Sequence, residues 1–354
     1  MKYKLFTAAF VLLCLIPSVG MLVLPPSHAV ANEHPAPKPQ LVTAEGTLNG
    51  AVLDEVTAYV ADSFALRHPL VTADAVLQTK LLASSPAADV IYGRDGWLYY
   101  TDTLDDYQNR ATITDAQAQA IAQTVADMQA FCVSRGAQFV FTIAPNKNSL
   151  YPEGMPARYL QDNAPGNYEL ILPYLQEYSV NYADLFTLFG EQSDVLYFKT
   201  DTHWTNRGAA LAHDLLLEQL GHPHETAASA PFTTEMTHMG DLYNMLYPVG
   251  TAREETQVYA HSFAHVAPPR SPEDILIRTT SETGKGRLLF CRDSFGNALY
   301  PFLADSFAEA TVTRQTPYPL AQVQASDTVI VEIVERKLPD LLKNPPDFGN
   351  ETGA

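Results

Sequence analysis

Three short segments of this 354-residue chain carry side chains that could do chemistry together. They are Ala144-Pro145-Asn146-Lys147-Asn148-Ser149, Lys199-Thr200-Asp201-Thr202-His203-Trp204 with Thr205 to Gly208 behind it, and Cys291-Arg292-Asp293-Ser294-Phe295-Gly296. A serine hydroxyl is a poor nucleophile until an imidazole accepts its proton. That imidazole needs a carboxylate to fix its tautomer and stabilise the charge it gains. Asp201 and His203, two apart in one loop, can supply the pair, and Ser294 the hydroxyl. A helix opening just after Ser294 would add backbone N–H donors for a developing oxyanion. Arg292 stands where a nucleophile elbow requires glycine, so the turn matches that motif only in part. Plainer readings exist for each residue. Ser294 and Asp201 are good helix N-caps, His203 can satisfy backbone groups, and Asn146 and Lys147 are common loop residues. Asp201 and His203 could also ligate a metal with His238 or Asp241, but no spacing forms a recognisable zinc set. Residue types and spacing alone reach as far as a serine hydrolase.

All three segments sit at the ends of apolar runs that read as strands. Phe139-Val140-Phe141-Thr142-Ile143 is continuous and apolar, as suits a strand buried on both faces of a parallel sheet. Further strands are expected at 180–185, 195–198, 287–291 and 328–334, and an apolar hairpin turns at Arg94-Asp95-Gly96. Helical periodicity covers 51–66 and 69–82. Thr114-Asp115 opens a helix that Gly136 stops, and others are expected over 167–178, 206–220 (closed by Gly221) and 338–342. The stretch 222–283 shows little regular pattern and is expected to form excursions over one face. Strand–helix alternation predicts an α/β fold, a three-layer α/β/α sandwich with a mostly parallel sheet. Functional groups then gather beyond the carboxyl ends of the strands.

The amino terminus is a different material. Lys2 and Lys4 precede an uncharged apolar run from Leu5 to Leu24, long enough to span a bilayer as a helix. The expectation is an anchor over residues 1–24 with the remainder extracytoplasmic. A cleaved signal peptide, cut near Ala29-Val30-Ala31 and releasing a secreted protein, is the alternative. Residues 25–40 read as a linker, 41–345 as the catalytic domain and 346–354 as a frayed tail. The chain has 40 acidic against 22 basic residues, a formal net charge of −18, which excludes a nucleic-acid surface. A hydrophobic content of 46% marks a folded rather than a disordered acidic chain. Of the three cysteines, Cys132 and Cys291 read as buried small hydrophobes. Trp97 and Trp204 read as packing residues.

Asp201-Thr202-His203-Trp204, with Gly208-Ala209 behind it, resembles the signature of the DHHW proteins. These are relatives of the alginate O-acetyltransferases within the SGNH-hydrolase-like superfamily. Gly93 to Tyr99, Ala144 to Lys147, Gly240-Asp241-Leu242, Arg292 to Gly296 and Val331 to Arg336 follow in the family's order. The resemblance covers roughly residues 41–342 and implies a circularly rearranged SGNH domain. It assigns Ser294 as nucleophile, His203 as general base and Asp201 as its orienting carboxylate. Asn146, Lys147 and Arg292 become candidate oxyanion or substrate donors, and Asp241 a residue that organises the site. The implied activity is acetyl transfer, through an acyl-serine, onto a cell-surface or exported polysaccharide. A multi-spanning membrane O-acyltransferase is the implied donor partner, and no metal or organic cofactor is expected. A carbohydrate esterase with the same triad and an inactive glycan-binding scaffold are the competing readings. The net charge favours a neutral glycan over a polyanionic one, unless cations such as Lys147, Arg207 and Arg292 gather at the site.

Overall fold

The computed structural model of the chain describes residues 2–24, 35–110 and 113–349. Two compact units divide it: Met1–Tyr92 with Met239–Ala252, and Gly93–His238 with Arg253–Ala354. In chain order the strands are β1 (Val90–Tyr92), β2 (Leu98–Tyr100), β3 (Gln138–Ala144), β4 (Tyr182–Ala183), β5 (Phe232–His238) and β6 (Glu254–Tyr259). They continue with β7 (Ala264–His265), β8 (Leu276–Thr280), β9 (Arg287–Cys291), β10 (Glu309–Thr313) and β11 (Asp327–Val334).

The first unit is largely helical, with helices Lys2–Val23, Val52–Ser63, Arg67–Leu82 and Asp241–Leu246. Within it the Tyr247 hydroxyl lies 3.0 Å from the Thr79 hydroxyl. The expected transmembrane span is not found among the described residues. Lys2–Val23 does form a 22-residue helix. Among the described residues, however, no helix is long and apolar enough to cross a membrane. The side chains of residues 13, 14, 16–18 and 22 lie outside the description and interrupt the apolar run. Residues 25–34, which hold most of the expected linker and the cleavage site, also lie outside it.

The second unit is built on a seven-stranded sheet of order β4-β3-β11-β9-β10-β8-β7. β4, β3, β11, β9 and β10 run parallel, whereas β8 is antiparallel to both β10 and β7. The sheet is therefore mixed, its parallel part carrying two of the three chemistry-bearing segments, those after β3 and β9. Successive side chains on a strand face opposite ways, and here both ways lead into core. Val140, Phe290, Ile330 and Val334 enter one apolar cluster with Leu216 and Leu217 of helix Asn206–Leu220 and Leu299 and Leu303 of helix Gly296–Ser306. Phe141, Leu289, Val329 and Val331 enter the other with Ile121, Val125 and Met128 of helix Asp115–Ser134 and Ile171 of helix Asn167–Glu177. The expected α/β/α layering follows from this alternation. Cys132 and Cys291 belong to the second cluster as free thiols, and burial pushes the Cys132 thiol up to about 12.

Local signals behave as expected at several ends. Thr114 and Gln117 form a reciprocal capping box on helix Asp115–Ser134. Gly221 closes helix Asn206–Leu220 in the left-handed region at φ 60°. Elsewhere the reading departs from the structure. Residues 195–198 form no strand, Tyr197 making a single bridge to Trp204. The stretch 222–283 instead holds β5 to β8. β5 is exposed along most of its length, so burial imposes no apolar alternation on it. The tail is packed as far as Phe348, whose ring lies 5.0 Å from that of Phe131, and residues 350–354 lie outside the described residues.

Central strand β11 ends in register with β3, Val334 opposite Ala144, and Val331 lies opposite Cys291 of β9. The segments after β3, β9 and β11 therefore leave one edge side by side. A buried carboxylate ties two of them together. Glu335 accepts hydrogen bonds from the Asn146 backbone N–H at 2.9 Å and the Ser149 hydroxyl at 2.7 Å. Burial, with the nearby charge of Asp106, pushes its carboxyl up to about 8. The folded state then holds a proton that the unfolded chain loses near its ordinary value of 4.5. The stability this contributes is complete below that value and drains as pH rises to about 8. Glu335→Gln keeps an acceptor oxygen and removes the charge. Urea melts at pH 5 and pH 9 are expected to show the variant gaining roughly 2–4 kcal/mol on wild type at the higher pH, and parallel curves would contradict this.

Candidate active site

The loop after Phe198 is held from two sides. The buried Lys147 ammonium donates to the carbonyl oxygens of Phe198 at 3.1 Å, Lys199 at 3.0 Å and Asp201. It also lies 5.7 Å from the centroid of Trp97 and 5.3 Å from that of Tyr99. From the other side, the Glu254 carboxylate accepts the backbone N–H groups of Lys199 at 2.7 Å and Thr200 at 2.8 Å, together with the Thr200 hydroxyl. A lysine brings three donors to fixed acceptors, and a buried charge is tolerable only when it is satisfied in this way. Lys147 was expected as a substrate or oxyanion donor. Its ammonium is instead turned into the loop, where it holds the path leading to Asp201.

That path delivers the side chains in catalytic order. Asp201 Oδ1 lies 2.7 Å from His203 Nδ1 and accepts the His203 backbone N–H at 2.9 Å. His203 Nε2 lies 2.9 Å from Ser294 Oγ. With the Nδ1 proton on the carboxylate side, Nε2 is left to accept from the serine, the arrangement an activated hydroxyl requires. Burial alone would raise the Asp201 carboxyl, but the charges and hydrogen bonds of His203 and His238 hold it well below the usual carboxylate range. His238 was weighed in the sequence only as a metal ligand. Here its Nε2 lies 3.0 Å from Asp201 Oδ2, and its ring stacks on Phe198 at 3.6 Å. The capping roles open to these residues are filled otherwise. Thr205 caps helix Asn206–Leu220, and helix Gly296–Ser306 has no side-chain cap.

The serine is presented by a turn braced from below. Asp293 Oδ1 accepts the Phe295 N–H and Oδ2 the Val334 N–H, each at 2.8 Å, while the Asp293 N–H reaches Glu332 at 3.2 Å. Burial and the charge of Asp293 push the Glu332 carboxyl well above its usual range. Arg292, where an elbow would have glycine, is 2% exposed. Its guanidinium donates to the carbonyls of Asp293 and Pro272 and to Asn297. A Cβ on Gly296 would stand 2.3 Å from Arg292 Cδ. The Arg292 side chain therefore fills the space beside Gly296, the motif's second glycine, and requires that residue to stay small. Arg292, expected as a candidate substrate donor, is here bonded to the protein's own oxygens.

Asn146, expected as an oxyanion donor, is fully buried. Its amide donates to Asp106 at 3.0 Å and its oxygen accepts from Arg336 at 3.4 Å. Arg336 lies over the rings of Tyr100 and Phe295, and Phe295 in turn packs on His203. Asn146 therefore braces the strand edge. Asp241 opens the short helix Asp241–Leu246 of the first unit and accepts the Leu242 N–H at 2.7 Å.

A second serine–histidine–aspartate set exists. His213 Nδ1 and Nε2 lie 2.8 Å from Asp214 Oδ1 and 2.8 Å from Ser306 Oγ. Asp214 also accepts the Ala227 and Ala228 N–H groups, and His213 is 2% exposed. Ser306 is the last residue of the helix that begins at Gly296, so the two serines flank opposite ends of one helix. Its amino end offers N–H groups to an oxyanion, and its carboxyl end offers only carbonyls. The Ser306 set reads as a buried strut.

Residues 90–283 match the model of the SGNH hydrolase-like domain, acetyltransferase AlgX, family. The chain belongs to this family. The expected kinship with alginate O-acetyltransferases is borne out, although Ser294 lies beyond the matched residues. The probable alginate O-acetylase AlgJ of Pseudomonas syringae pv. tomato is 29% identical over 187 residues, 51% of this chain and 44% of that protein. AlgJ of Pseudomonas fluorescens is 26% identical over 263 residues, 69% of this chain and 60% of that protein. The matches thus span less than two thirds of these relatives. The structure of Bacillus cereus PatB1 is similar in fold, with TM-score 0.53 and 16% identity over 69% of this chain and 95% of that one.

The clamp has a measurable consequence. Lys147→Met would leave three loop carbonyls without their donor. The expected loss is about 2–5 kcal/mol in urea unfolding. Hydrolysis of a small acetyl ester is expected to fall at least about tenfold, through displacement of Asp201 and His203.

Proposed function

We propose that the chain is an extracytoplasmic O-acetyltransferase that moves an acetyl group through Ser294 onto a polysaccharide. The observation that carries this reading is the unbroken relay from Asp201 through His203 to Ser294, with separations of 2.7 and 2.9 Å. Family membership supports the acetyl chemistry. Ser294 Oγ attacks the donor's acetyl carbonyl as its proton passes to His203 Nε2. Asp201 stabilises the imidazolium, and the proton then goes to the leaving group. The helix that begins at Gly296 lies with its positive end beside the developing oxyanion. In the second half-reaction His203 Nε2 removes the proton of a sugar hydroxyl, whose oxygen attacks the acyl carbonyl; the bond to Ser294 Oγ breaks, and the imidazolium returns its proton to Oγ, leaving the acetylated sugar and the free enzyme.

The apolar run after Lys2 and Lys4 supports an exported protein held at the membrane. A multi-spanning O-acyltransferase delivering acetyl groups across that membrane is the donor partner the reading requires. Alginate is the polymer named for the Pseudomonas relatives. In this chain Lys147 and Arg292 donate to the protein's own oxygens, and Arg207 donates to the Ala228 carbonyl. With a formal charge of −18, that supports a neutral acceptor.

Incubation with an acetyl-ester probe is expected to place one acetyl group on Ser294, read by peptide mass spectrometry. Ser294→Ala should lose the label. His203→Ala should slow it by about 10³–10⁴. Full activity in both variants would end the triad assignment, and an unlabelled wild type would favour a scaffold. Acetyl passing to water in preference to an added oligosaccharide would make the protein an esterase.

A further inference from the structure

We infer that His238 is a positioning residue for the serine chemistry: it fixes the plane of the Asp201 carboxylate so that one oxygen is always presented to His203. The inference rests on the triad reading above. A carboxylate held at one oxygen can still tilt about its last torsion, because that torsion is broad. Asp201 Oδ1 faces His203 Nδ1 at 2.7 Å and accepts the His203 N–H at 2.9 Å, while Oδ2 faces His238 Nε2 at 3.0 Å. His238 thereby restrains the second oxygen, which the His203 contacts leave to swing.

His238 is itself held for this task. Its ring lies parallel to Phe198, 3.6 Å between centroids and 10° between planes. It is the last residue of β5, and its register partner across the ladder is Glu254, the first residue of β6. Glu254 is the same residue whose carboxylate takes the Lys199 and Thr200 N–H groups. One end of the β5–β6 ladder therefore grips the catalytic loop twice, at its backbone through Glu254 and at its carboxylate through His238. The ladder is otherwise solvent-exposed on β5, so its grip on the loop is the chemically specific part of an excursion with little core of its own. The register shift between Glu235 and His238 re-aims the end of β5, as such irregularities do beside active sites.

The test uses the full chain, with a sulfonyl fluoride as a probe of Ser294 nucleophilicity and a small acetyl ester as substrate. His238→Leu is expected to slow sulfonylation and lower kcat about tenfold, the range for losing a hydrogen bond to a charged group, with KM unchanged within about twofold. His238→Gln, whose amide nitrogen falls near the lost Nε2, is expected to recover most of both rates. If the leucine variant does not fold, His238→Asn replaces it. Its shorter amide falls short of Asp201, so it is expected to be slow. Wild-type rates in the leucine or asparagine variant would overturn the inference. So would a glutamine variant as slow as either, since that outcome marks a packing role on Phe198. Ser294→Ala gives the blank. A wild type that does not react ends the triad reading and this inference with it, whereas a reactive wild type with silent His238 variants ends this inference alone.

Discussion

One cation beneath one loop sets the terms for everything above it. Removing an ammonium from water costs several kcal/mol unless every donor is met. Lys147 meets the cost with carbonyls from the segment that carries Asp201 and His203. The bargain constrains the loop as much as the lysine. Three carbonyls must converge on one point, which sets the backbone path and with it the direction in which the next side chains leave. The indole and phenol faces of Trp97 and Tyr99 complete the enclosure, so both aromatic residues serve as packing around a charge.

The same economy governs the sheet edge. β11 and the residue that follows it contribute two buried acids just where the neighbouring strands end: Glu332 under the nucleophile turn and Glu335 under the segment after β3. Neither has a cationic partner at salt-bridge distance among the described residues. Both are pushed toward the neutral form by burial. Acids shifted toward the neutral form in this way can brace backbone groups at a smaller cost in buried charge. The brace is rigid because β11 is buried along its whole length.

Much of the site could be read before any coordinates. A serine at a strand-to-helix junction and an Asp-x-His loop are chemically meaningful wherever they fall; the apolar run before the serine is a strand, whereas the one before the Asp-x-His loop makes only a single bridge. The helix ends at Thr114 and Gly221 followed from local rules alone. Less legible were the roles of Lys147, Arg292 and Asn146. Each looked available for substrate, because the oxygens that claim them belong to distant stretches of chain: Phe198 to Asp201 for Lys147, Pro272 for Arg292 and Asp106 for Asn146. His238 was hidden for a different reason. β5 is exposed and polar, so no hydrophobic period marks it as a strand, and nothing in its neighbourhood points toward Asp201.

The helix Gly296–Ser306 gives this molecule an internal standard. Two hydroxyls, each on an imidazole that sits on a carboxylate, flank its opposite ends. They share one polypeptide, one solvent and one concentration, yet face dipoles of opposite sign. Any difference in their reactivity therefore carries the contribution of helix polarity, together with that of the carboxylates' other partners: His238 on Asp201, and the Ala227 and Ala228 N–H groups on Asp214.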